Sequence, residues 1–148
     1  MNNELKKEMD LTFPLTYGLS KTGLPLIVVQ IFNHDICLML DTGCNRNIID
    51  QQIYEHFKDK FAIREASQEV LTLNGTAKGL TINLPFIFEH QEYNEPFICS
   101  NDTEPFKQIE NESGIRIYGI LGNNFFLKHE WIIDFERQEV YNKSKNNT

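Results

Sequence analysis

Between Thr12 and Asp41 short apolar runs alternate with turn-forming groups at Gly18, at Ser20-Lys21-Thr22-Gly23 and at Asn33-His34-Asp35. That pattern predicts strands joined by tight hairpins. In the run from Asp35 to Asp41, Ile36, Leu38 and Leu40 share one face while Cys37, Met39 and Asp41 share the other, because successive strand residues point to opposite sides. Both faces are apolar, so the strand is expected to be buried. A carboxylate at the end of such a strand is costly to desolvate unless it has a partner or a task, which singles out Asp41.

Further on, Asp50 has the character of an N-cap for a helix over Gln51 to Lys58, with Ile49, Ile53, Tyr54 and Phe57 forming one apolar stripe. Strand pattern returns with Val70, Leu71 and Leu73 before Asn74-Gly75, the dipeptide best suited to a two-residue hairpin turn. Further strands are predicted from about Thr81 to Phe88 and from Pro96 to Ser100. Thr103-Glu104-Pro105 before Phe106 to Asn111 reads as a capped helical turn ending near Gly114. The last organised stretch is Ile115 to Gly122, a short helix from Asn123 to Lys128, and strands at Trp131 to Phe135 and Val140-Tyr141 around a Glu136-Arg137 turn. No repeat, low-complexity stretch or linker divides the chain. The expectation is one mostly β domain over residues 1–148, with loose tails at about 1–10 and 143–148.

Composition narrows the function. The 148 residues carry 14 Lys plus Arg against 21 Asp plus Glu, a net charge of −7, and the cations are scattered. Phosphate backbones and anionic bilayers are held by clustered cations, so neither a nucleic acid nor a membrane is expected as a partner. The longest apolar run, Leu24 to Val29, is strand-sized and far short of the roughly 18 to 20 residues that span a bilayer. The polar start, Met1 to Asp10, lacks the features of a secretory signal, and three cysteines, Cys37, Cys44 and Cys99, do not make a disulfide framework. Both point to the cytoplasm. His34, His56, His90 and His129 show no metal-ligand spacing, and no phosphate loop or serine elbow occurs, so neither metal nor cofactor is expected.

Candidate chemistry centres on Leu38-Met39-Leu40-Asp41-Thr42-Gly43, an apolar strand delivering an Asp into a Thr-Gly turn. An Asp capping its own turn explains the tripeptide in isolation. Downstream, however, Ile120-Leu121-Gly122 leads into Asn123-Asn124, a short helix and Ile132-Ile133-Asp134-Phe135. With these elements the chain resembles the retropepsin-like aspartic peptidases, which have an apolar-apolar-Asp-Thr/Ser-Gly loop, a hairpin flap and a later apolar-apolar-Gly strand entering a helix. The resemblance covers roughly residues 13 to 141 in element order.

The resemblance implies a closed β-barrel or sandwich with one or two short helices, acting as a homodimer. Asp41 is then the catalytic residue, Thr42 and Gly43 complete the active-site loop, and Ile120, Leu121 and Gly122 form the supporting glycine motif. Asn74, Gly75 and Thr76 fall at the flap tip over a peptide or protein substrate. Ile48 and Ile120 stand beside the loop, where they would line apolar subsites or the core. Only one Asp-Thr-Gly is present, and peptide hydrolysis of this type needs two carboxylates sharing a proton, so the implied partner is a second copy of the chain. The implied activity is aspartic endopeptidase; the alternative is a catalytically silent retropepsin-like peptide-binding or dimerisation module. Three departures stand out: Cys44 where the family usually has Ala or Ser, Asn45-Arg46 where viral members carry acidic residues, and Asn123 in place of an Arg after Gly122.

Overall fold

A computed structural model describes residues 10–72, 75–101 and 104–142, with 62–79 described as backbone. The expected tails lie outside the described residues, apart from an exposed Asp10. Ten strands dominate: β1 (Thr12–Pro14), β2 (Leu26–Ile31), β3 (His34–Asp41), β4 (Ile48–Asp50), β5 (Ala62–Thr72), β6 (Gly75–Phe88), β7 (Gln91–Ser100), β8 (Gly119–Gly122), β9 (Trp131–Asp134) and β10 (Glu139–Asn142). Four short helices accompany them, α1 (Thr16–Thr22), α2 (Gln51–His56), α3 (Glu104–Ser113) and α4 (Asn123–His129).

The strands form two sheets. One runs β2-β3-β8-β4-β7-β6-β5, and an additional β2–β6 pairing at Gln30 and Ile87 closes its first six strands into a barrel. Closure leaves β2 without an open edge, and β5 continues the sheet beyond the barrel on the far side of β6. The other sheet, β1-β10-β9, is antiparallel and joins the two ends of the described chain. The barrel is filled by inward residues of alternating strands, among them Leu38 and Leu40 of β3, Ile82, Leu84 and Phe86 of β6 and Phe97 of β7. Phe86, Tyr93, Phe125 and Trp131 extend this core as packed rings beneath α4.

The face of β3 opposite that core is covered as well. Cys37 and Met39 pack with Leu24, Leu26, Ile120, Ile117 and, from α3, Phe106 and Ile109. The two apolar faces expected of β3 are therefore each used. Desolvation pushes the Cys37 thiol up to about 11; for Cys99, on β7, burial and then the nearby Glu55 charge push it up to about 12.

Three elements differ from the sequence pattern. Thr16–Thr22 is a helix, not part of a strand-and-hairpin run. Its Gly18 is buried, and a Cβ there would sit 2.9 Å from Leu24 O and from Leu26 Cβ, so the glycine serves close helix-to-strand packing. The first hairpin turns at Phe32-Asn33, both with positive φ, which shifts the turn one residue earlier than expected and pairs Ile31 with His34. Glu89 and His90 make an equivalent turn, so β7 begins at Gln91 instead of Pro96. By contrast, Asp50 caps α2 as expected, its Oδ1 accepting a hydrogen bond from Gln52 N at 2.8 Å. Thr103, the expected cap of α3, lies outside the described residues. Among the described residues no helix is long and apolar enough to cross a membrane.

Candidate active site

Asp41 is the last residue of β3 and pairs in parallel with Gly122, the last residue of β8. The Asp-Thr-Gly tripeptide and the later glycine motif thus meet side by side, with Asp41 and Gly122 81 positions apart in the sequence. Ile120 and Leu121 pair with Met39 and Leu40, one step back along the same strands.

The loop that follows Asp41 is braced almost wholly by main chain. Asp41 Oδ1 accepts a hydrogen bond from Gly43 N at 2.9 Å, and Cys44 N donates to Asp41 O at 3.2 Å, forming a tight turn. Cys44 O accepts from Asn123 N at 2.6 Å, which ties the loop to the start of α4. The loop crosses directly over Gly122: a Cβ there would overlap Arg46 O and lie 2.6 Å from Cys44 O. Only glycine lets two backbones approach this closely.

Asn47 completes the brace. It is 1% exposed, its Oδ1 accepts from Gly122 N at 3.0 Å, and its Nδ2 donates to Pro96 O at 3.2 Å. Its own carbonyl accepts from Ile98 N at 2.9 Å. One buried amide therefore links the Asp41 loop, β8 and β7. Nothing in the sequence marked it, since an Asn after Asn45-Arg46 reads as one more loop residue. A second unmarked tie lies beyond β4, where Arg116 Nη2 donates to Asp50 Oδ2 at 2.6 Å while stacking over Tyr118. Asp50 thus has two roles, capping α2 and holding the segment that enters β8.

Around the carboxylate, Leu24, Pro25, Met39, Leu40, Thr42, Ile133 and Phe135 line, with Asp41, a depression of about 310 Å³. Asp41 is half-buried and Thr42 exposed. Among the described residues, no hydrogen bond reaches Asp41 Oδ2 or the Thr42 hydroxyl. Both are thereby free for a substrate, a water or another chain. Cys44 is half-buried, with its Sγ hydrogen-bonded to Arg46 O at 3.1 Å. Among the described residues no group of three or more His, Cys, Asp or Glu is placed to hold a metal.

The expected flap residues divide. Asn74 lies outside the described residues, whereas Gly75 and Thr76 open β6 and pair with Thr72 and Leu71. Gly75 is therefore a strand residue and not part of the turn. From Gln68 to Gly79 the two strands pair only with each other, forming an arm that leaves the barrel at Thr81. One register row, Met39, Ile120, Ile48, Ile98 and Thr81, connects the root of that arm with the strand that carries Asp41. Ile48 and Ile120 face each other in this row, each half-buried.

Away from the loop, Glu95 of β7 is 5% exposed and accepts hydrogen bonds from Lys128 Nζ at 3.1 and 3.2 Å and from His129 Nε2 at 3.2 Å. Burial alone would raise its pKa, but the hydrogen bonds from His129 and Lys128 and then their charges outweigh it, holding the carboxyl below its usual 4.5. The cluster fastens α4, and hence Asn123 and Gly122, to the barrel wall.

No protein-family model and no curated protein matches the chain. Among solved structures it is similar to a retropepsin-like aspartic protease from Rickettsia conorii, at 16% identity and a TM-score of 0.58 over 90% of this chain and 91% of that one. An EIAV protease complexed with the inhibitor HBY-793 matches at 13% identity and a TM-score of 0.53, over 71% of this chain and 86% of that one. The retroviral protease-like domain of Ddi1 from Leishmania major matches at 11% identity and a TM-score of 0.52, over 84% and 98% respectively. The fold is retropepsin-like.

Proposed function

We propose that this retropepsin-like chain is an aspartic endopeptidase whose site is completed by a second copy of itself. The observation that carries the reading is the pairing of Asp41 with Gly122, which sets a carboxylate with one free oxygen, in the lining of a mostly apolar depression, on a braced loop. Structural neighbours whose names describe proteases support the same reading.

A single carboxylate cannot both take a proton from water and give one to the scissile carbonyl. Two copies of Asp41 meeting across a two-fold axis share one proton, because like charges a few ångströms apart do not both ionise. The ionised carboxylate accepts a proton from the attacking water, and the protonated one donates to the carbonyl oxygen. The tetrahedral intermediate then collapses as a proton passes to the leaving nitrogen. Neither a covalent intermediate nor a metal enters the scheme. Thr42, with its hydroxyl unengaged, is placed to hydrogen-bond across the axis, and Gly43 to present backbone to the substrate.

The β5–β6 arm, which carries Gly75 and Thr76, is the flap in this proposal, closing over an extended peptide and excluding water. Ile48 and Ile120 line subsites for apolar side chains flanking the cleaved bond. The three unbridged cysteines suit a reducing, cytosolic setting. The test is cleavage of a broad peptide library between about pH 4 and 7, by wild type and by Asp41→Asn. Cleavage by wild type and none by an equally folded variant is expected; equal cleavage by both, or none by either, overturns the reading.

A further inference from the structure

We propose that Arg46 selects peptides carrying an acidic side chain, Asp or Glu, about two to four residues from the cleaved bond. This rests on the peptidase reading and names the class of substrate that its site takes.

The argument begins with where the sheet sets Arg46. β4 runs antiparallel to β8, with Ile48 opposite Ile120 and Ile49 opposite Gly119. Carried back two residues, that register sets position 46 opposite Gly122, and Arg46 O is the atom that a Cβ on Gly122 would overlap. Gly122 pairs in turn with Asp41. Cation, glycine and carboxylate therefore follow one another across three neighbouring segments. At about 4.8 Å per strand, Arg46 and Asp41 lie roughly 10 Å apart at the main chain, or about three residues of an extended peptide at about 3.3 Å each.

The side chain of Arg46 points out of the fold. Asn47 is turned inward at 1% exposure and Ile49 is fully buried, so by alternation Ile48 and Arg46 lie on the other side. Ile48 is half-buried opposite Ile120, whereas Arg46 is exposed. Met39, Ile120 and Ile48 form one row on this face, and Asp41 shares Met39's side of β3. An extended peptide laid over Asp41 and beneath the β5–β6 arm therefore passes the Arg46 guanidinium.

That guanidinium has no anion of its own. Of the four arginines, Arg64 is described as backbone, Arg116 faces Asp50, and Arg137 faces Asp134 and Glu139. Among the described residues Arg46 approaches no carboxylate. Its loop supplies none, since Thr42 to Asn47 holds no other charge, and the start of α4, tied to the loop at Cys44 O, is Asn123-Asn124. Neutral amides thus flank a cation whose main chain is fixed: Arg46 O accepts from Cys44 Sγ, and Asn47 beside it is held by Gly122 and Pro96. The whole chain carries −7, so its net field repels an acidic peptide. Selection must come from the local contact, which a carboxylate satisfies through two parallel N–H···O bonds.

The test is a charge swap. Peptides with one apolar cleavage site and Asp, Glu, Asn or Lys at each position up to about four residues away on either side are given to wild type, Arg46→Met and Arg46→Glu. Wild type is expected to favour Asp or Glu over Lys by about fivefold or more in kcat/KM at one position, chiefly through KM, with the gap narrowing in about 0.5 M salt. Arg46→Met is expected to lose that preference and Arg46→Glu to reverse it toward Lys. Sedimentation of the same samples follows the second copy. A wild type indifferent to peptide charge, or an Arg46→Glu variant that still favours acidic peptides, overturns the proposal. So does a dimer weakened by Arg46→Glu with its preference unchanged, which would pair Arg46 with a carboxylate of the second copy instead. Fluorescence anisotropy of the same peptides on Asp41→Asn, with and without Arg46→Glu, reads binding apart from cleavage. Binding that follows the charge at position 46 without cleavage by wild type sinks the peptidase reading alone. Cleavage blind to that charge sinks this proposal alone, and neither cleavage nor binding overturns both.

Discussion

Replacing Asn47 by Ala removes two side-chain hydrogen bonds, from Gly122 N at 3.0 Å and to Pro96 O at 3.2 Å. Gly122 is buried and its N–H has no replacement acceptor in Ala, whereas half-buried Pro96 regains part of its loss from water. An orphaned buried amide costs about 1–3 kcal/mol, and the truncated side chain adds a small cavity. The sum is about 3 kcal/mol, which for a chain of this size lowers the urea midpoint by roughly 1–2 M. The loss is not spread evenly. Because Asn47 ties the Asp41 loop to β8, amide exchange at Gly122 should accelerate well before that of the barrel strands, and peptide cleavage should fall more than the folded fraction does. A urea midpoint within about 0.3 M of wild type, with Gly122 still protected, would refute the claim that this amide holds the loop.

Two further outcomes follow from other contacts. Gly122→Ala forces a methyl against Arg46 O and Cys44 O, both backbone atoms that have little room to give, so a loss of about 3 kcal/mol is expected together with abolished cleavage; thermal unfolding checks the first and peptide assay the second. Glu95 has its folded pKa below the unfolded value near 4.5, so it contributes stability that is fully present above that value and is lost as pH falls through the folded pKa. Glu95→Gln should therefore be less stable than wild type at pH 7 by about 2 kcal/mol, with the gap narrowing below about pH 4, as urea titrations at several pH values would show.

What was legible in the sequence was whatever the period of two or a named cap encodes. The alternation in β3 and the cap at Asp50 follow from local side-chain chemistry, and the same holds for the order of strand, glycine motif and helix around Gly122. Thr16–Thr22 was not legible because Gly18 and Ser20 carry turn signals, while the reason for Gly18 is a long-range packing constraint against Leu24 and Leu26. β7 looked shorter than it is because its turn, Glu89-His90, adopts positive φ without glycine or asparagine. Of β5 only the end was legible, as strand pattern around Val70 and Leu71; the strand begins at Ala62, and its register with β6 shifts between Ile63 and Glu65 and again between Glu65 and Gln68, which breaks the period of two there. At the site, Asp41 and Gly122 announce themselves by motif. Asn47, whose importance rests on three partners in β7 and β8, has no local signature.

The central claim is that one functional site takes Asp41 from each of two copies, and subunit mixing tests it most directly. Wild type and Asp41→Asn would be unfolded together, refolded at equal amounts, and assayed for peptide cleavage at fixed total protein. If the site is shared, only wild-type pairs are active, and random pairing leaves about one quarter of the wild-type rate. A rate of about one half, scaling linearly with the wild-type fraction, would mean that each chain works alone and would contradict the account.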